Sequence, residues 1–204
     1  MTAMSTNFLT TSSDAQVREF LLNLLIEHAY KTGDFLLSSG GRSSYYINCK
    51  LVTLQGQGAL AIGRLLFSYL PADTQAVAGL TLGADPLVTS VSIVSAWENR
   101  PVDALIVRKE AKGHGTSAYI EGPSLAADSK VVVLEDVVTT GKSAYLAVER
   151  LRSAGYQVSQ VIALVDRQEG GREFYQQKGL DFQSVFTIED LQKAACCKSE
   201  DNQS

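Results

Sequence analysis

Apolar residues recur at Val17, Phe20, Leu21, Leu24, Leu25 and Ile26, the spacing that lines one face of an amphipathic helix. Asp14 stands ahead of that run as its candidate N-cap, and Gly33 is the expected end of the region. Two short apolar runs then flank a Ser/Gly/Arg turn in DFLLSSGGRSSYYINCKL, which reads as a hairpin or as short paired strands. From there strand-like and helix-like runs alternate. AVAGL precedes a helix that Pro86 initiates after an Asp85 cap, VDALIV follows, VVVLE precedes SAYLAVERLRSAG, and VSQVIALV and QSVFT complete the series. That order predicts an α/β fold with a mainly parallel central sheet flanked by helices.

The ends differ from the middle. Residues 1–13 are rich in Ser and Thr, and the chain from about Lys198 is wholly polar. The expectation is one domain over 14–195, with 1–13 and 196–204 as loose tails. A chain of 204 residues with 45% hydrophobic and 20% charged content is the size and make-up of one soluble domain with its own core. The net charge of −4 argues against a protein that coats nucleic acid, so any phosphate site must be local. The N-terminus has no basic segment ahead of an apolar run, and nowhere do about 18 apolar residues stand together. Cys49, Cys196 and Cys197 are an odd set with two adjacent, which suits a reducing interior better than a disulfide framework. A cytoplasmic, membrane-free protein is expected.

Chemistry concentrates in three strings. In VVVLEDVVTTGKS, residues 131–143, an apolar strand ends in Glu135 and Asp136. Val137 and Val138 follow, then a loop of Thr139, Thr140 and Gly141, then Lys142 and a helix capped by Ser143. At the carboxyl end of a parallel strand, loop N–H groups and the next helix N-terminus converge on a phosphate. Ionised carboxylates only accept hydrogen bonds, so beside a phosphate they suit the hydroxyls of a sugar diol. Two other readings stand next to this one. The acidic pair can be a solvated strand end, and Asp136–Ser143 matches a Walker A loop except at its first glycine, with Asp166 ending a Walker B-like strand.

The second string, VRKEAKGHGTSAYIEG, gathers Arg108, Lys109, Lys112 and His114, with Gly113 and Gly115 flanking the histidine. It is either a solvated basic loop or a cationic lid for a polyphosphate. The third, LVDRQEGG, places Arg167 at a strand end, where a guanidinium can pair with a surface carboxylate or grip a carboxylate ligand bidentately.

The first string resembles the signature of type I phosphoribosyltransferases, and the three together resemble the orotate phosphoribosyltransferases. The resemblance implies the type I fold with a small N-terminal substrate-side hood. It also implies Mg2+-dependent transfer of a phosphoribosyl group from phosphoribosyl pyrophosphate (PRPP) to orotate. Glu135 and Asp136 would hold the ribose, and Val137 to Ser143 would cradle the 5′-phosphate. Arg108, Lys109, Lys112 and His114 would contact the pyrophosphate, with Lys112 and His114 as the catalytic pair of the lid. Thr139, Arg167, Tyr45 and Tyr46 would meet orotate. The metal would have no direct protein ligand; Mg2+ would ride on PRPP, near Glu135 and Asp136 through water. The family pattern further implies a homodimer whose lids are shared between subunits. Two positions depart from one branch of the family, which has lysines where this chain has Ser38 and Gly83. A nucleotide-sensing regulator of the same fold is the alternative to an enzyme, and Lys112 and His114 favour the enzyme.

Overall fold

The computed structural model describes residues 6–36, 41–111 and 119–201. Helix α2 (Asp14–Leu24) follows a short α1 (Thr6–Thr11) and runs into one π-type turn at Leu25–Ala29. Its cap is Ser13 rather than Asp14. The Ser13 hydroxyl accepts from Gln16 N–H, and the Gln16 side chain accepts from Ser13 N–H at 3.0 Å, which satisfies two first-turn donors reciprocally. Asp14 then serves as a first-turn acid at the positive end of the helix.

Strands β1 (Tyr30–Leu36) and β2 (Arg42–Ile47) pair antiparallel as a two-stranded sheet of their own, the predicted hairpin. Gly33 does not end the helical region. It lies inside β1 at φ +153°, where the pairing slips between Thr32 and Phe35, and a glycine tolerates the bulge that this slip requires. Short α3 (Lys50–Thr53) and then α4 (Gly56–Ser68) lead from this hood into the core.

The main sheet takes β3 (Ala76–Leu80), β4 (Asp103–Val107), β5 (Ile120–Glu121), β6 (Val131–Val138), β7 (Gln160–Asp166) and β8 (Asp181–Thr187). Their spatial order is β5-β4-β3-β6-β7-β8, parallel except where β5 pairs with β4. The α/β expectation therefore holds. Alternate residues of β6 enter two different cores. Val132 and Leu134 join the one beneath α2, α4 and α5 (Asp85–Trp97), while Val131 and Val133 join the one beneath α6 (Lys142–Ser153) and α7 (Gly171–Gln177). Burial on both faces is why these strands read as continuous apolar runs rather than alternating ones. From β3 the chain steps to β4 on one side and later to β6 on the other. The carboxyl ends of β3 and β6 thus flank a topological switch point, where open α/β sheets form their ligand crevice.

Two further local expectations are corrected. Ala84, not Asp85, precedes α5, with Pro86 still in the first turn. Gly141, not Ser143, caps α6, because its left-handed backbone turns the loop into the helix. Among the described residues, both end segments carry helix. Leu9 of α1 is fully buried, and Arg64 hydrogen-bonds the carbonyls of Leu9 and Ser12. Helix α8 (Ile188–Asp201) continues past exposed Cys196 and Cys197, anchored through buried Leu191. Among the described residues no helix is long and apolar enough to cross a membrane.

Candidate active site

The crevice is built from the end of β6. Glu135 is 7% exposed, and its Oε2 is buried without a hydrogen-bond partner. Its carboxyl is pushed well above the usual carboxylate range, first by burial and then by the neighbouring Asp136, with Lys109 pulling the other way. Asp136 accepts from Val137 N–H at 3.0 Å. The loop after β3 lies directly against it, for a Cβ placed on Gly83 would stand 2.5 Å from Asp136 Oδ1. Any side chain there would displace the carboxylate, so Gly83 leaves no room for a lysine. A cation comes instead from the hood, where Lys50 Nζ, at the start of α3, lies 3.8 Å from Asp136 Oδ2.

Beyond Asp136 the Thr139–Ser143 loop opens onto the N-terminus of α6. Gly141 is at φ +82°, and a Cβ on it would come within 2.9 Å of both Phe174 and Tyr175. Both constraints demand glycine at this position. The loop, Glu135 and Tyr175 enclose a cavity of about 60 Å³. Unpaired N–H groups of the first turn of α6 and the positive end of its dipole favour an anion there.

Arg167 follows β7, and its N–H bonds Val138 O at 2.9 Å, which ties the β7 end to the β6 end. Its guanidinium is 15% exposed and ion-pairs Glu169 at 2.8 Å. It also donates to the Tyr45 hydroxyl at 3.1 Å and lies 4.9 Å from that ring's centroid. Tyr45 in turn stacks on Tyr30 at 6.0 Å. Of the two adjacent tyrosines of the hood, Tyr45 is therefore the one that meets Arg167. Tyr46, the next residue in an alternating strand, turns away to pack against Phe35 at 5.7 Å.

Arg108 and Lys109 stand at the end of β4. Arg108 pairs with Glu121 at 3.2 Å and takes the Tyr119 carbonyl on its backbone N–H at 2.8 Å. Arg150 of α6 hydrogen-bonds the carbonyls of Arg108 and Lys109 and lies 4.0 Å over the Tyr119 ring. It thereby holds the two flanks of the basic segment together. Lys112, His114 and Ser38 lie outside the described residues. The structure thus brings Lys109, Glu135, Asp136 and the Thr139–Ser143 loop to one crevice, and sets Arg167 with Tyr45 beside it.

The Walker reading finds no support in this geometry. Asp136 occupies the first-glycine position, and Asp166, 2% exposed, spends a carboxylate oxygen on Gln168 N–H at 2.8 Å. Three residues of the site escape sequence reasoning. Lys50, Arg150 and Tyr175 carry no motif, and each acquires its place only through tertiary contact with a residue more than 30 positions away.

A family model described as uracil phosphoribosyltransferase matches residues 89–179. An orotate phosphoribosyltransferase of Synechocystis sp. is 69% identical over 95% of this chain and 98% of its own length. One of Nostoc sp. is 68% identical over 94% and 93%. Among solved structures, the orotate phosphoribosyltransferase of Mycobacterium tuberculosis H37Rv in complex with PRPP aligns with TM-score 0.71 and 35% identity, over 86% of this chain and 98% of that one. The six-stranded sheet with its crevice at the β3/β6 switch point is the type I phosphoribosyltransferase fold. With two curated relatives matching nearly end to end and a solved structure sharing its architecture, the chain belongs to the orotate phosphoribosyltransferase family.

Proposed function

We propose that the protein transfers the 5-phosphoribosyl group of PRPP to orotate, giving orotidine 5′-monophosphate and pyrophosphate in the pyrimidine pathway that leads to UMP. The observation that carries this reading is the juxtaposition of an acidic strand end and a phosphate-type loop at the switch point with a carboxylate-binding arginine at the next strand end. Orotate N1 attacks the anomeric carbon while the bond from that carbon to the pyrophosphate oxygen breaks, and pyrophosphate leaves with the electron pair. Glu135 and Asp136 accept from the ribose hydroxyls and offset the positive charge that grows on the sugar. Residues 137–143 hold the 5′-phosphate. Arg108 and Lys109 face the leaving group from the β4 end, and Lys112 and His114 complete the cationic set as the family pattern implies.

The protein's carboxylates suit Mg2+ as partners of a substrate-borne ion. Among the described residues no three His, Cys, Asp or Glu side chains gather into a metal cage, while the unpartnered Glu135 Oε2 can receive a metal-bound water. When bound with PRPP, Mg2+ neutralises pyrophosphate charge.

Arg167 favours orotate over uracil, because only orotate carries a carboxylate for the guanidinium fork. Glu169 occupies that fork in the structure, with 41% of its side chain exposed, so the base carboxylate exchanges for a surface-facing partner. A cytoplasmic homodimer with lids shared between subunits completes the proposal. The exposed Ile93 and Trp97, four residues apart on α5 and 66% and 78% accessible, are the kind of apolar face a second subunit covers.

The test is to mix the protein with orotate, PRPP and Mg2+ and follow the loss of orotate absorbance, with uracil and hypoxanthine as competing bases. Orotate-specific turnover is expected. Consumption of uracil alone would overturn the base assignment, and PRPP binding without turnover on any base would make the protein a regulator.

A further inference from the structure

Tyr175 is fully buried on α7, and its hydroxyl has no hydrogen-bond partner. Two contacts fix where that hydroxyl lies. The ring carbon that carries it is the atom a Cβ on Gly141 would meet at 2.9 Å, so the phenol tip sits under the apex of the phosphate loop. The residue also lines the cavity of about 60 Å³ that the loop shares with Glu135. The phenol's acidity is suppressed chiefly by burial and then by the nearby charges of Glu135 and Asp166, so the hydroxyl remains a donor at any working pH.

The same cavity is therefore lined by two residues that each carry an orphaned polar atom, the hydroxyl donor of Tyr175 and Oε2 of Glu135. Buried polar groups in native proteins are nearly always paired, and an unpaired set at a cavity marks the place of an absent partner. The space is several times the roughly 10–15 Å³ that one water needs. A ligand that fills it must present an acceptor toward α7 and a donor toward β6. A ribose phosphate does both, with a phosphate oxygen for the phenol and a ring hydroxyl for the carboxylate.

We propose that the Tyr175 hydroxyl is a direct ligand of the 5′-phosphate of the ribose donor, an addition to the backbone cradle from the opposite wall of the pocket. The inference rests on the reading of the Thr139–Ser143 loop as the donor's phosphate site and extends that site to α7. It also accounts for a tyrosine whose ring neighbours are apolar, Phe174 at 5.8 Å and Phe182 at 5.0 Å. Phenylalanine would fill that space equally well.

The experiment uses Tyr175→Phe, which keeps the ring and removes one oxygen, with ribose 5-phosphate as the probe because it carries the diol and the phosphate but no pyrophosphate. Calorimetry should show ribose 5-phosphate binding weakened on the order of tenfold, as for a lost hydrogen bond to a charged group. The apparent KM for PRPP should rise alongside, with KM for orotate unchanged. The ligand-free variant should melt at or above the wild-type temperature, since it has lost an unsatisfied buried group. Wild-type affinity in the variant would overturn the inference and assign the hydroxyl to a bridging water. A lowered melting temperature with unaltered binding would overturn it in favour of a purely structural role. If the wild-type protein itself fails to bind ribose 5-phosphate while still binding orotate, it is the underlying phosphate-site reading that falls.

Discussion

At the residue scale, the chemistry depends on side chains whose environment makes one role available to them. Arg167 is the clearest case. At 15% exposure its guanidinium is largely removed from water, and Tyr45 and the backbone bond to Val138 fix its direction. Little freedom is lost when a carboxylate arrives, so the gain from a bidentate pair is kept. Arg167→Ala should therefore raise KM for orotate about tenfold or more, since a charge-assisted hydrogen bond is worth about 1.5–3 kcal/mol. KM for PRPP should move far less. Steady-state kinetics with each substrate varied in turn decides it, and an unchanged orotate KM would return Arg167 to a simple ion pair with Glu169. The partnership with Tyr45 is visible in sequence only as two adjacent tyrosines. Choosing between Tyr45 and Tyr46 requires knowing which face of β2 turns inward, and a half-exposed hairpin with polar residues on both faces does not encode that.

At the element scale, the main sheet was the most legible part of the chain. The runs AVAGL, VVVLE and QVIALVD are buried at nearly every position, and such strands announce themselves without reference to their neighbours. Boundaries set by hydrogen bonding were harder to read, because several residues nearby can serve. Ser13 took the cap from Asp14 once Gln16 could reciprocate, and the backbone of Gly141 displaced the Ser143 side chain. The polar C-terminal stretch became helix because one row, with Leu191 at its start, packs on the core. Least legible was the junction of hood and sheet. Lys50 lies at the first turn of α3, 86 positions before Asp136, and only the fold brings them within 3.8 Å. Its ammonium offsets the charge of Asp136 at an acidic strand end to which a polyanionic donor must come. Lys50→Ala should raise KM for PRPP by about two- to fivefold, the worth of a half-exposed ion pair. Lys50→Arg should restore it, and KM for orotate should stay unchanged in both variants. Equal rises for the two substrates would instead mean that Lys50 merely supports the hood.

At the scale of the whole molecule, the open question is how two substrates enter a site that must exclude water during transfer. The described crevice lies open at the β3/β6 switch point, and the flanks of the basic segment are fastened there by Arg150. In the proposed dimer, the basic segment of one subunit closes over the crevice of the other, which separates the machinery of each site between two chains. That separation can be measured with two variants, each of which spoils a different half. Lys112→Ala damages the lid and leaves the crevice sound, whereas Asp136→Asn damages the crevice and leaves the lid sound. Neither should turn over well by itself. Co-expression or refolding of an equal mixture gives random pairing, in which half of the dimers are mixed. If lids act across the interface, each mixed dimer holds one site with both halves intact, and the population should recover about a quarter of wild-type activity. If each lid serves its own crevice, every site retains one defect and the mixture stays as inactive as its components. No recovery, with subunit exchange demonstrated by two different affinity tags, would refute the shared arrangement. The individual defects of Lys112→Ala and Asp136→Asn would still stand as evidence for the part each residue plays.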